Sequence, residues 1–198
     1  MKGDPPPMTS PSHARAFLTL LPPRARILAL DVGALKVGFA LSSSSPAAPP
    51  PRGAGAGAAP PLVEGLGWVR APSRLVGAPS RAAYFGAVAA ALAARHGAGG
   101  ALLGWPLLPT GVPGPSCAAV AAVRDALKRA SPQLPLLLWD ERSSTVAGRA
   151  ALRALRGGGP LPPEWRGGRV DEAAAVEILR SFLASAGAAA AAPAARTF

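Results

Sequence analysis

The sequence predicts an α/β domain built on a mixed five-stranded sheet, three antiparallel strands and then two parallel ones, with helices on both faces. Three observations carry this prediction. Three β-prone segments come first with no helix between them, which favours antiparallel pairing. Two apolar strands then alternate with helical segments, which favours parallel crossovers. The chain has 198 residues, a length that suits one such domain with tails.

The first three strands are read from apolar segments separated by turn residues. The first strand runs from Arg26 to Leu30 and ends at Asp31, and Val37–Ser42 forms the second. The link between them is short, so a hairpin is expected. Ser43–Pro61 is rich in Ser, Pro, Gly and Ala, and we interpret it as a mobile low-complexity insert because it has little to bury. The third strand, Leu62–Val69, follows it.

The second half of the chain alternates between helical periodicity and short buried strands. Its first helix is predicted to begin at an N-cap, Ser80, and to stop at Gly97. The other helices show apolar residues at intervals of three and four or begin with hydroxyl residues. Helices are predicted at Ser80–Gly97, Cys117–Ala130, Ser143–Leu155 and Val170–Ser185, and strands at Gly100–Pro106 and Leu134–Arg142.

These elements divide the chain into a domain with a tail at each end. Residues 1–25 are predicted to be a partly disordered lead, 26–185 the domain with its insert at 43–61, and 186–198 an Ala-rich tail. Within the lead, the stretch ARAFLTLL is equally compatible with a short helix packed on the domain.

The composition points to a polyanionic partner. The net charge is +11, from 21 Lys and Arg against 10 Asp and Glu, and nucleic acid is the first candidate for so basic a chain. Codon bias in a GC-rich genome is the alternative source of this charge. One cysteine excludes an internal disulfide, and no apolar run is long enough for a membrane span. The N-terminus has no clear transit peptide, so cytoplasm and organelle both remain open.

Acidic residues are scarce, and several stand at the ends of predicted elements. Asp31 ends the first strand, Asp140 and Glu141 end the last strand, and Asp171 begins the last helix. Parallel strands end at one edge of a sheet, so these side chains are expected to meet there. Each has a simpler explanation when taken alone: Asp31 could accept from turn amides, and Asp171 could favour the positive end of its helix.

Clustered carboxylates predict a divalent cation. Carboxylates in one place repel one another and raise one another's pKa unless a cation lies between them. Mg²⁺ and Mn²⁺ prefer such oxygen ligands, and two ions about 4 Å apart can activate water and stabilise the leaving oxygen of a phosphodiester. An acidic centre in a basic chain is therefore typical of a nuclease.

Four segments resemble, in order, the four blocks of the YqgF (RuvX) family. They are ILALDVGALKVGFALS, LLGWP, LLLWDERSSTVAGRAAL and VDEAAAVEILRSFL, and the resemblance covers about Arg26 to Ser185. The family has an RNase H-like fold and is related to Holliday-junction resolvases. Its bacterial members are described as pre-16S rRNA nucleases, and plants and algae carry relatives. The resemblance implies a metal-dependent nuclease that acts on structured RNA, in the 5′-end maturation of rRNA precursors.

The resemblance also assigns the site. It makes Asp31, Glu141 and Asp171 the catalytic acids and the ligands of Mg²⁺ or Mn²⁺, with two ions expected. Side chains alternate along a strand, so Glu141 is expected to face the metal while Asp140 has a structural role or is a further candidate. Gly33 and Gly38 match the hairpin glycines of the family and would let the backbone turn closely beside a metal-bound phosphate. The positions expected to bind nucleic acid are Gly33, Lys36, Gly38, Arg142 and Thr145.

Departures from the family pattern keep other functions open. Ala34 and Leu35 stand where the family has Thr followed by Lys or Arg, and Leu107–Gly111 lacks the usual Asn and Asp-Gly. A nuclease-inactive nucleic-acid-binding module and a junction-resolving DNase are the alternatives. A sugar-kinase-like or actin-like ATPase shares the superfold, but it needs a second phosphate-binding turn and usually two domains. The sequence leaves monomer and dimer equally open.

Overall fold

The computed structural model describes residues 11–44, 61–142, 144–157, 160–165 and 168–191. The first ten residues, most of the low-complexity insert, Ser143 and the last seven residues of the tail lie outside the described part. The strands are β1 (Arg26–Val32), β2 (Lys36–Ser42), β3 (Val63–Arg70), β4 (Ala98–Trp105) and β5 (Leu136–Asp140). The helices are α1 (Pro11–Thr19), α2 (Ala78–His96), α3 (Cys117–Ala130), α4 (Ser144–Ala154) and α5 (Gly168–Ala191), with a 3₁₀ turn at Pro163–Trp165.

The predicted five-stranded mixed sheet is confirmed. Its strand order is β3-β2-β1-β4-β5, with antiparallel pairing between β1 and β2 and between β2 and β3. The pairs β1–β4 and β4–β5 are parallel. Strands β1, β3, β4 and β5 therefore all end at one edge of the sheet, which we call the carboxyl edge.

Helices cover both faces of the sheet, as the sequence predicts. On one face, α2 and α3 pack over β-strand residues such as Leu30 and Phe39. On the other, α5 and α1 pack over residues such as Ala29 and Leu102. Consecutive residues of β1 alternate between the two cores, which explains why its sequence is apolar without interruption up to the acid. The second face, which we call the α5 face, carries the acid itself.

The first described segment is a helix that belongs to the core, which agrees with the packed-helix alternative for ARAFLTLL. Phe17 of α1 meets Phe182 of α5 edge to face, with ring centroids 5.8 Å apart. Its ring also lies over Gly100, where a Cβ would approach it to 2.8 Å. This packing explains Gly100, while Gly99 faces Ala25 and Pro22 in the segment before β1. The strand begins at Ala98, two residues earlier than predicted.

Helix boundaries differ from prediction where tertiary contacts decide them. Helix α2 begins at Ala78 after Gly77, and Ser80 lies inside the helix, so the predicted Ser80 cap is wrong. The predicted stop at Gly97 is confirmed by its left-handed conformation, φ 63° and ψ 36°. Helix α5 continues to Ala191 beyond the predicted end at Ser185, and Ala186, just past that end, is still buried in the cluster on this face.

No helix in the described ranges is long and apolar enough to cross a membrane.

Candidate active site

Asp31 lies on the α5 face near the end of β1, between two glycines. It pairs with Gly38 of the antiparallel neighbour β2. On its other side, the register that pairs Leu30 with Leu103 places Gly104 of β4 beside it. Both neighbours lack a side chain, so the space around the Asp31 carboxyl group is open to groups from other elements.

Gly104 makes room for Glu141. A Cβ at position 104 would meet the Glu141 Oε2 atom and come within 2.6 Å of the Ile178 Cδ1 atom. Glu141 follows β5, and its backbone N–H donates to the Trp105 carbonyl at 3.3 Å, which continues the β4–β5 pairing by one step. Because side chains alternate along the strand, Glu141 projects to the α5 face, where Asp31 lies.

Gly38 makes room for the start of α5. A Cβ at position 38 would meet the backbone carbonyl of Asp171 and the amide of Glu172. The first turn of α5 therefore lies directly on β2, one strand away from Asp31. This contact brings Asp171 close enough for its negative charge to raise the pKa of Asp31, and an acid in the first helical turn also suits the positive end of the helix dipole.

Asp31 and Glu141 share a proton. Burial raises the pKa of Asp31 well above its usual range, and the negative charges of Glu141 and Asp171 raise it further. Burial also raises the pKa of Glu141, to about 7, although its hydrogen bond with Asp31 opposes that rise. The two buried carboxyl groups are hydrogen-bonded to each other, which requires a proton between them.

Basic groups border the third acid. Burial raises the pKa of Asp171, while the positive charges of Lys36 and Arg149 pull it back down. Lys36 begins β2, so its backbone lies at the carboxyl edge. The acidic centre thus lies within a basic surround, as expected for a site that holds a phosphodiester.

The donor set fits a hard divalent cation. The Glu141 Oε2 atom is buried and has no hydrogen-bond partner, which leaves a carboxylate oxygen available for a ligand. Among the described residues, no three His, Cys, Asp or Glu side chains are already spaced to hold a metal ion.

Asp140 and Arg142 form a hydrogen-bonded ion pair next to Glu141. The Asp140 Oδ1 atom accepts from the Arg142 backbone N–H at 2.9 Å, and its Oδ2 atom accepts from Nε at 2.7 Å. The terminal guanidinium nitrogen completes an ion pair at 2.7 Å. Asp140 therefore holds the turn after β5 and fixes the Arg142 side chain, of which 46% remains exposed.

The other residues expected to bind nucleic acid lie around the same edge. The Gly33 N–H donates to the Lys36 carbonyl at 2.9 Å and closes the β1–β2 turn. The Lys36 ammonium group lies 5.4 Å from the ring centroid of Trp68. Thr145 is exposed in the first turn of α4. Gly38 differs from the expectation in one respect: its missing side chain accommodates α5 rather than a turn of the hairpin.

Sequence reasoning missed three residues at this site. The Glu172 Oε1 atom accepts from the Gly67 N–H at 3.0 Å and so ties α5 to β3. Ser144 is buried, and its hydroxyl has no hydrogen-bond partner. Trp68 is 41% exposed next to Lys36. Of the three, only Ser144 could have been suspected from the sequence, because it follows Glu141 by three residues. In the structure its backbone N–H donates to the Glu141 carbonyl at 2.9 Å.

Comparison with known proteins places the chain in a family. Residues 64–185 match the family model described as RuvX: Holliday junction resolvase. The chain belongs to the RuvX family. This membership confirms the family that the sequence resembles, and with it the expected enzyme class, a hydrolase acting on ester bonds.

Curated relatives of this chain include proteins from two bacteria. A Kineococcus radiotolerans protein described as "Putative pre-16S rRNA nuclease" is 35% identical over 157 residues, which cover 79% of this chain and 70% of the relative. A Rhodospirillum rubrum protein with the same description is 42% identical over 93 residues, covering 47% of this chain and 55% of the relative.

Solved structures similar to this RuvX-family chain include resolvases. Thermus thermophilus RuvC in complex with a Holliday junction substrate aligns with a TM-score of 0.49 and 16% identity, covering 82% of this chain and 96% of that chain. The yeast mitochondrial Holliday junction resolvase aligns with a TM-score of 0.47 and 14% identity, covering 90% and 86%.

Proposed function

We propose that this RuvX-family chain is a divalent-metal-dependent nuclease that hydrolyses phosphodiester bonds in structured RNA, with rRNA precursors as its substrate. One observation carries the proposal: Asp31, Glu141 and Asp171, which come from distant parts of the chain, interact at one edge of the sheet. The names of the curated relatives support rRNA as the substrate class.

These three acids would hold the metal. Mg²⁺ or Mn²⁺, when bound, supplies the charge that activates a water molecule and stabilises the leaving oxygen. Two ions are expected, because phosphodiester hydrolysis places charge on both the attacking and the leaving oxygen. Glu141 brings an oxygen without a hydrogen-bond partner, and Asp31 supplies a second oxygen once the shared proton has left.

Basic side chains around the acids would attract a phosphate of the substrate and hold it there. Lys36 and Arg149 place positive charge close enough to Asp171 to lower its pKa, and the same charge attracts a phosphate to the carboxyl edge. Arg142 is already fixed by Asp140, so its guanidinium group loses little conformational freedom when it meets a phosphate.

The direct test is cleavage by the wild-type chain and by Asp31→Asn, an isosteric change that removes the shared carboxyl group. The wild type is expected to cut precursor rRNA only with Mg²⁺ or Mn²⁺. Asp31→Asn is expected to lose about 100-fold or more of that rate, the order of magnitude for removing one electrostatic stabiliser, while RNA binding survives. Equal cleavage by the two proteins would contradict the proposal.

Four-way DNA is the second candidate substrate, because the matched family model is described as a Holliday junction resolvase. Running the same pair of proteins on a four-way DNA junction separates the two. Metal-dependent junction cleavage that exceeds precursor rRNA cleavage would favour a DNase. Salt-sensitive binding without cleavage of either substrate would indicate a nucleic-acid-binding module.

A further inference from the structure

A tryptophan on β3 stands in the same row of the sheet as Asp31. Trp68 pairs with Gly38, and Gly38 pairs with Asp31. Directly paired residues point to the same face, so Trp68 also lies on the α5 face. Neighbouring strands are about 4.8 Å apart, which puts the backbone of Trp68 roughly 10 Å from that of Asp31. The residue between them has no side chain.

The indole of Trp68 is held in place but remains accessible. It packs against Gly168, the first residue of α5, where a Cβ would overlap the ring. Trp68 nevertheless keeps 41% of its surface exposed and belongs to neither of the two large buried clusters among the described residues. The exposed part of this indole contributes little to the core and is accessible to a ligand beside the acidic centre.

Lys36 links the indole to the acids. Its ammonium group lies 5.4 Å from the centroid of the Trp68 ring, and its charge also lowers the pKa of Asp171. Register places Arg70 directly opposite Lys36 on β3. One side of the acidic centre thus combines an aromatic surface with two cations, the combination with which proteins bind unpaired nucleotides.

We propose that Trp68 and Lys36 form a nucleobase platform, on which an unpaired base next to the cleaved phosphodiester stacks while Lys36 contacts its phosphate. The inference rests on the proposed function and deepens it. It assigns as substrate a strand that is unpaired beside the cleavage point, because bases within a continuous duplex have no free face to offer. Trp68 acts here as a positioning and specificity residue, while the acids perform the chemistry.

Three substitutions separate stacking from packing on α5. Trp68→Phe keeps a flat π surface, Trp68→Leu keeps apolar bulk over Gly168 without one, and Trp165→Phe is the matched control. Trp165 also lies close to arginines, with its ring centroid 5.5 Å from Arg156 and 4.7 Å from Arg169, but it is not in the row of Asp31.

Binding is measured with the full chain in EDTA, on a single-stranded RNA of about 12 nucleotides and on a blunt RNA duplex of the same sequence. Trp68→Leu is expected to weaken single-strand binding about ten-fold, the order of magnitude for one base stacked on an aromatic side chain. Trp68→Phe and Trp165→Phe are expected to stay within about three-fold of the wild type. Duplex binding is expected to change in none of them.

Two results would overturn the platform. One is unchanged single-strand affinity in Trp68→Leu. The other is an equal loss on single strand and duplex, which would show that the indole only supports α5. Cleavage of the same RNAs by the wild type and Asp31→Asn is measured in parallel. A chain that never cleaves but loses single-strand affinity in Trp68→Leu would refute the nuclease and retain the platform.

Discussion

The proton shared by Asp31 and Glu141 makes the stability of the metal-free protein depend on pH. Burial raises the pKa of both groups, and the charges of Glu141 and Asp171 raise that of Asp31 further, so the folded state keeps protons that the unfolded chain releases. Between the ordinary glutamate pKa of about 4.5 and the folded value of about 7, the folded chain binds more protons, and stability falls as the pH rises.

We therefore expect the free energy of unfolding in EDTA to drop by roughly 3 kcal/mol between pH 4.5 and pH 7 on account of Glu141, at about 1.4 kcal/mol per pKa unit. Urea denaturation at several pH values measures it. Glu141→Gln should flatten the curve, whereas Glu64→Gln, a change at an exposed glutamate of β3, should leave it in place. An unaltered slope in Glu141→Gln would show that the pair holds no extra proton.

At the scale of elements, two glycines determine how closely the acids approach. Gly38 faces the backbone of α5, which cannot move without shifting the whole helix, whereas Gly104 faces the ends of two side chains, Glu141 and Ile178. Gly38→Ala is expected to destabilise the fold by about 1–3 kcal/mol, and Gly104→Ala by less, since side chains can rotate away. Both should reduce cleavage, because each displaces one acid.

Urea denaturation and cleavage rates of the two glycine variants check this order. Gly104→Ala would lose activity with little loss of stability, the pattern of a misplaced Glu141. If Gly38→Ala were as stable and active as the wild type, α5 would not be positioned by β2.

Helix α1 is a second case in which packing between elements decides stability. Phe17 is 3% exposed and contacts both Phe182 and the glycine-rich start of β4, whereas Leu20, just beyond the helix, is 66% exposed. Phe17→Ala should lower the free energy of unfolding by about 3–5 kcal/mol, and Leu20→Ala by about 0.5 kcal/mol at most. Thermal denaturation of both variants measures the difference. Similar melting temperatures would mean that α1 is not part of the folded core.

At the scale of the whole molecule, the sequence predicts features that depend on local periodicity and misses those that depend on long-range register. Asp31 and the Asp140–Glu141 pair are expected at one edge because strand order is readable from spacing, and the family resemblance together with strand alternation selects Glu141 of the pair. The positions of Trp68 and Glu172 depend on how β3 pairs with β2 across the low-complexity segment and on where α5 lands. Neither is determined by neighbours in the chain, so these residues could not be assigned from sequence.

The same topology determines at which edge of the sheet each basic residue lies, which the net charge of +11 does not reveal. Arg70 ends β3 at the carboxyl edge and is paired with Lys36, so it lies on the side of the acids. Arg95 lies in the last turn of α2, which returns to the opposite edge, where Ala98 pairs with Arg26. Both arginines are exposed and carry the same charge, so only their position separates them.

If nucleic acid lies along the carboxyl edge, these two arginines should contribute differently to its binding. Each phosphate neutralised on a single strand contributes about 0.7 to the slope of log K against log salt. In the Asp31→Asn background, which is expected to bind RNA without cutting it, Arg70→Gln should lower that slope by about 0.7, and Arg95→Gln should leave it unchanged. Fluorescence anisotropy over a range of KCl concentrations measures both. Equal losses in the two variants would mean that charge alone attracts the polyanion and that the carboxyl edge has no privileged part in binding.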